Sequence, residues 1–229
     1  MYCFFLSKKA SKESFLIIKF IKSLLVCGMM LLLAACQELP LVSSSGVDPE
    51  QAWQARQKIL STLQSWDLTG RIGVQTEKDS WQASLRWDQS PDSYAIRLST
   101  PLGQEVMQLH GNASGVTMRT SDGEELAEDA ETLMTKRLGW SLPVSGLRYW
   151  VLGVADPQAP LPATADKELD GLGRLTRLHQ SGWDIEFRRY VTVNNVELPD
   201  KIFLSNKQGV QLNVRLAVEQ WEIHSKEGG

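Results

Sequence analysis

From Leu68 to Val218 the chain alternates apolar and polar residues for most of its length, and few folds accept that pattern. Leu68, Gly70, Ile72 and Val74 form one such run, and Trp81, Ala83, Leu85 and Trp87 a second. Tyr94, Ile96 and Leu98 form a third, a less regular fourth runs from Gln104 to His110, and Val116 and Met118 mark a fifth. A period of two places successive side chains on opposite faces, so each run is a strand with one apolar face. The breaks are short: Ser90-Pro91-Asp92, Pro101-Leu102-Gly103, Gly111 to Gly115, and Asp122-Gly123. Connections of that length join antiparallel neighbours. The alternation resumes over Leu169 to Leu178, Trp183 to Tyr190, Val196 to Leu204 and Val210 to Val218.

Three segments follow a helical period instead. Asp48-Pro49-Glu50-Gln51 combines an N-cap, a proline at the first helical position and a capping-box glutamine. Ala52, Ala55, Ile59, Leu63 and Trp66 then predict an amphipathic helix from about Pro49 to Ser65. Leu126, Ala130, Leu133, Met134 and Leu138 predict a second helix, ending before Gly139. A short third follows Pro143 and carries Leu147, Trp150, Val151 and Leu152. Pro157, Pro160 and Pro162 make 155–164 a loop. Residues 48–229 therefore form one mainly β domain, an antiparallel meander curled around a few helices. A sheet with one apolar face must cover it. With so few helices as cover, the bent sheet either encloses a concave apolar cavity or closes on a fully packed core.

The N-terminal segment has a different character. Lys8, Lys9, Lys12, Lys19 and Lys22 stand against one acid, Glu13, ahead of the uncharged run Ser23 to Ala35. That run falls short of the roughly 20 apolar residues a membrane span needs, and it suits a signal-peptide core. It ends in Leu33-Ala34-Ala35-Cys36, a lipobox, which makes 1–35 a lipoprotein signal peptide and Cys36 the acylated first residue of the mature chain. Gln37 is not the aspartate associated with inner-membrane retention, so the expected destination is the outer membrane, facing the periplasm. Residues 36–47 hold Pro40, Ser43, Ser44, Ser45 and Gly46 and read as a flexible tether.

Without residues 1–35 the chain keeps 19 basic and 26 acidic residues, a formal charge of −7. Nucleic-acid binding needs clustered positive charge, so that partner class is set aside. The cysteines are Cys3, Cys27 and Cys36, which leaves no free thiol after processing and acylation. His110, His179 and His224 are scattered without metal-ligand spacing, and there is no nucleophile elbow or phosphate loop. The expectation is a protein that is not an enzyme, with no cofactor, metal or catalytic residue. All eight tryptophans fall in the mature part. They suit core packing, or a pocket lined by rigid rings for alkyl chains.

In order, the chain shows a lipobox cysteine, a tether, a helix running into Trp66-Asp67-Leu68-Thr69-Gly70-Arg71-Ile72, the turn Thr100-Pro101-Leu102-Gly103, and Gly146-Leu147-Arg148-Tyr149-Trp150-Val151-Leu152-Gly153. This succession resembles the LolB family of outer-membrane lipoproteins over essentially the whole mature chain. The long lysine-rich start departs from the family pattern. The resemblance implies an open, incomplete antiparallel β-barrel with a helical lid over a hydrophobic cavity. It also implies an acceptor that takes lipoproteins from a periplasmic carrier similar to LolA, binds their acyl chains and inserts them into the outer membrane. Such a protein would meet carrier, acylated cargo and outer-membrane lipid as a monomer. The cavity-lining candidates are Leu68, Ile72, Trp81, Leu85, Trp87, Trp150 and Trp183. Leu102 falls where the family carries an apolar residue on a protruding, membrane-contacting loop, and Arg148 is expected to hold the lid by donating to helix-end carbonyls. The competing reading is a structural or assembly-factor lipoprotein that binds a protein partner through its sheet.

Overall fold

A computed structural model of the chain describes residues 46, 48–160, 166–206, 208 and 210–224. The chain divides into two units, Met1–Ser44 and Ser45–Gly229, and the described residues all belong to the second. The lipobox with Cys36 and the tether up to Ser45 lie outside the described residues.

The period-two runs form one antiparallel sheet of 11 strands among the described residues. Helix α1 (Pro49–Leu60) leads into β1 (Trp66–Thr76), β2 (Ser80–Gln89), β3 (Ser93–Ser99), β4 (Glu105–Asn112), β5 (Gly115–Thr120) and β6 (Gly123–Ala127). Helices α2 (Ala130–Leu138) and α3 (Val144–Trp150) follow, then β7 (Lys167–Leu169), β8 (Leu175–Gln180), β9 (Trp183–Val193), β10 (Val196–Asn206) and β11 (Leu212–Ile223). The order across the sheet is β6-β5-β4-β3-β2-β1-β11-β10-β9-β8-β7, so the chain makes two meanders joined where β1 pairs with β11. The edges, β6 and β7, leave the barrel open. Inward positions of β1 alternate strictly in burial, with Leu68, Ile72 and Val74 inside.

Register gives the sheet two distinguishable ends. Val74 pairs with Trp81 and Ser84 with Ser99, so the β1–β2 turn and the β3–β4 turn bearing Leu102 share one end, here the upper. Trp66 pairs with Gln89 and with Ile223, and Ser93 with Asn112, at the lower end. Gly70 sits where β11 bulges opposite Thr69/Gly70, and a Cβ there would run into the Ala217 carbonyl, so only glycine lets the two strands approach.

The helices depart from the sequence expectation in instructive ways. Leu126 does not start α2; it lies on edge strand β6 with 72% of its surface exposed. The helix begins at Ala130 because the Asp129 side chain caps it, accepting from the Thr132 N–H at 2.6 Å. α1 stops at Leu60 rather than Ser65, and its inward face is not the Ala52–Ala55–Ile59 stripe. Trp53 and Leu60 are the buried residues, with Arg56 and Gln57 partly buried between them, whereas Ile59 is 66% exposed. The single strand expected over Leu169 to Leu178 is two. The Asp170 carboxylate accepts from the N–H groups of Leu172 and Arg174 and closes a turn between β7 and β8. Burial would raise the Asp170 pKa, but the hydrogen bonds from Arg174 and Leu172 outweigh it and hold the carboxyl below its ordinary value.

α1 crosses the lower end. Its first turn packs on Gly173 of the β7–β8 turn, and the Lys167 ammonium lies 4.4 Å from the Trp53 ring centroid while pairing with Glu50 at 3.2 Å. The Arg56 guanidinium donates to the Glu197 carbonyl and faces the Tyr190 ring, whose other neighbour is the Arg174 guanidinium, 4.9 Å away. Trp66, Trp87 and Trp221 cluster at the same end, with centroids 5.1 and 5.5 Å from Trp66. These contacts close the lower end of the sheet.

Candidate functional site, an apolar cavity under the helices

The concave side of the sheet encloses a cavity of about 50 Å³. Its wall comes from the alternating inward residues of β1 to β4, β10 and β11, among them Ile72, Leu85, Leu98, Met107 and Leu216. Its roof comes from the helical segment: Met134 on α2, Trp140 and Leu142 between the helices, and Val144 and Leu147 on α3. Every lining side chain is hydrophobic, and no ionisable group of the described residues reaches it. Such a space stays dry. It offers no acid, base or nucleophile, and its chemistry is restricted to burying hydrocarbon.

Of the seven residues expected on the cavity, Ile72, Trp81, Leu85 and Trp87 line it together. Leu68, Trp150 and Trp183 do not. Leu68 is buried nearer the lower end, directly across from Trp87. Trp150 and Trp183 face each other at 6.4 Å in the other half of the sheet. The Trp150 indole N–H donates to Gln180 Oε1 at 2.9 Å, which draws the ring onto β8 instead of into the cavity. Gln180 is 3% exposed; its Oε1 also accepts from the Asp156 N–H, and its Nε2 donates to the Asp156 carbonyl. The segment after α3 is thereby fixed to β8.

Arg148 is half-buried, with its guanidinium 5.1 Å from the Tyr149 ring centroid. Among the described residues its guanidinium makes no hydrogen bond to a helix-end carbonyl; those of Leu147, Tyr149 and Trp150 accept from the N–H groups of Val151, Leu152 and Gly153. Leu102 is 97% exposed at the tip of the β3–β4 turn. That turn is well formed: Gly103 N–H donates to the Thr100 carbonyl and Thr100 N–H to the Gln104 carbonyl, each at 2.8 Å.

Sequence periodicity alone missed the roof residues Trp140 and Leu142, which lie in no regular element, and the buried Gln180. A large aromatic directly after the helix-ending Gly139 is the signal that could have found Trp140. Strand pairing also gathers Asp67, Glu222 and His224, which linear spacing could not show; they are a surface group with His224 Nε2 and Asp67 Oδ2 3.2 Å apart.

The family profile described as outer membrane lipoprotein LolB matches residues 64–221, which takes in the whole cavity wall and roof. The chain belongs to the LolB family. An outer-membrane lipoprotein LolB from Nitrosococcus oceani is 43% identical over 195 residues, covering 85% of this chain and 94% of that protein. One from Pseudomonas savastanoi pv. phaseolicola is 36% identical over 207 residues, covering 89% and 97%. Among solved structures, a LolA superfamily protein from Nitrosomonas europaea is similar with a TM-score of 0.45 and 8% identity, over 78% of this chain and 94% of that one. The LolB match includes both features that organise the site, the alternating strands of the wall and the Gly146–Gly153 segment of the roof.

Proposed function

We propose that this chain is anchored to the outer membrane through acyl groups on Cys36, faces the periplasm, takes lipoproteins from a carrier, shelters their acyl chains in the cavity and passes them into the membrane. The observation that carries this reading is the cavity itself, hydrophobic on every side and roofed by helices rather than by a further sheet layer. Each buried methylene is worth about 0.8 kcal/mol, so the acyl chains of one lipoprotein would lose tens of kcal/mol on exposure to water. Free diffusion of cargo is excluded by that figure, and direct passage from one apolar site to another is what remains. No nucleoside triphosphate site is needed if the second site binds more tightly.

At about 50 Å³ the empty cavity has room for only a few water molecules, each requiring roughly 10–15 Å³. An acyl chain enters only if roof and wall separate. Met107 and Met134, one on each side, are unbranched side chains suited to repacking around a guest. Leu102, held out by a closed turn at the upper end, supplies an apolar tip for contact with lipid.

The test is a titration with a synthetic acylated lipopeptide. The native chain should bind it stoichiometrically. Leu85→Asn, which sets an unpaired amide in the wall, should weaken binding by at least tenfold while circular dichroism shows the fold retained. Normal binding by several folded wall variants of this kind would leave the cavity without a role and favour the protein-binding reading.

A further inference from the structure

All the residues lining the cavity are buried except two, Trp81 and Trp140. Their rings lie 6.0 Å apart at an interplanar angle of 32°, one on the upper end of β2 and the other just beyond the end of α2. Among the described lining residues this pair of partly exposed rings is therefore the part of the cavity boundary most open to solvent, with no hydrogen bond between the two rings. We infer that the Trp81–Trp140 contact is the gate through which an acyl chain enters and leaves. This inference rests on the acyl-binding function proposed above and assigns the route and the residues that control it.

The surrounding structure supports that location over any other. The lower end is filled by Trp66, Trp87 and Trp221 and crossed by α1, whose first turn is in contact with Gly173. α3 is pinned at its C-terminal end, where Gln180 binds both the Trp150 indole and the backbone of Asp156. The roof has no comparable tie between α2 and α3 among the described residues. Residues 139–143 form no regular element there, and Trp140 meets the wall through Trp81. Ring-on-ring contact without a hydrogen bond can slide apart and re-form against a methylene chain with little loss, because the chain replaces one apolar surface with another.

The gate also faces the right way. Register puts Trp81 at the same end of the sheet as the β3–β4 turn, since Ser84 pairs with Ser99 and Trp81 lies three residues further toward that end. Leu102 is 97% exposed there, Val210 of the β10–β11 turn is 50% exposed, and Leu138, the last residue of α2, is 37% exposed. Asn206 pairs with Leu212 and Thr76 with Leu212, which fixes the β10–β11 turn at this end as well. An acyl chain leaving between the two tryptophans passes into a rim of exposed aliphatic side chains, so that a bilayer contacted by Leu102 receives it without a step through water.

The experiment closes the gate reversibly. The mature chain with Cys36→Ser, Trp81→Cys and Trp140→Cys is bridged with a short, reducible bifunctional thiol reagent, and uptake of cis-parinaric acid, a fluorescent fatty acid, is followed by stopped flow. Circular dichroism before and after bridging monitors the fold. Bridging should slow uptake at least tenfold, and reductant should restore it. Trp140→Ala, which only removes the outer ring, should load several-fold faster than the chain with both tryptophans. Uptake by the bridged protein at the unbridged rate would overturn the gate while leaving the cavity reading intact. Failure of the Cys36→Ser chain with both tryptophans in place to take up the probe would overturn the acyl-binding reading, and the gate with it.

Discussion

Gln180 shows how one side chain can decide what a neighbouring aromatic does. It lies on β8 and satisfies a buried indole N–H, a backbone N–H and a backbone carbonyl at once. Removing it strands three polar groups in a dry interior, and a buried unsatisfied group costs about 1–3 kcal/mol. Gln180→Ala should therefore lower the unfolding free energy by roughly 3–5 kcal/mol, measured by urea denaturation, with Trp150 fluorescence changing before the rest of the fold is lost. Nothing in the sequence marked this residue, because a glutamine at the end of an alternating strand reads as exposed. Trp150 was legible as an inward aromatic but not its neighbours, and it was expected on the cavity that Gln180 keeps it from. Gly70 is the opposite case: its place among the apolar positions of β1 was evident, but the reason for a glycine is the bulge in β11, which only pairing reveals.

At the scale of elements, the strands were readable because the sheet exposes one face to water, so burial is written as alternation. The helices were read less well, and α1 shows why. Trp53, Arg56, Gln57 and Leu60 have the spacing of a helix face, but two of the four are polar, so the hydropathy stripe suggested by Ala52, Ala55 and Ile59 points elsewhere. What holds α1 is a set of aromatic–cation contacts, Lys167 on Trp53 and Arg56 on Tyr190, together with close packing on the β7–β8 turn. Burial depresses the Arg56 pKa, offset in part by Tyr190 and Glu197. Gly173 is the contact most sensitive to change. Its φ is +72°, and an added Cβ would lie 2.6 Å from the Ala52 Cβ and 2.7 Å from both the Pro49 carbonyl oxygen and the Trp53 nitrogen. Gly173→Ala should cost about 2–4 kcal/mol and release α1 first. Hydrogen exchange would show this as lost protection over 52–60 with β1 to β4 still protected. Uniform loss across the sheet would mean instead that α1 belongs to the same cooperative unit as the barrel.

On the scale of the whole molecule, the two ends of the sheet have different work. The lower end is closed by aromatic packing and α1; the upper carries the Trp81–Trp140 contact and the exposed Leu102. The antiparallel meander followed from turn lengths and the helices over it from the break in period, whereas the open barrel was an expectation of the family resemblance and shows only in the strand order. The small size of the cavity was not legible in the sequence, since volume depends on how Met134, Trp140 and Leu142 settle against the wall. This polarity predicts that receiving cargo and delivering it are separable. Leu102 is almost wholly exposed, so Leu102→Glu should leave folding and loading unchanged, whereas a charge carried into hydrocarbon costs on the order of 2–3 kcal/mol. If Leu102 enters the bilayer at the moment of release, delivery of a bound lipoprotein to liposomes should fall by roughly 30- to 150-fold at matched loading, the rate equivalent of that cost. Leu102→Phe, which keeps the tip apolar, should deliver normally. Equal delivery by the Glu variant and the native chain would remove Leu102 from the release step. A parallel fall in loading would move it to the carrier-docking surface, because a residue used only at the membrane has no effect before the membrane is reached.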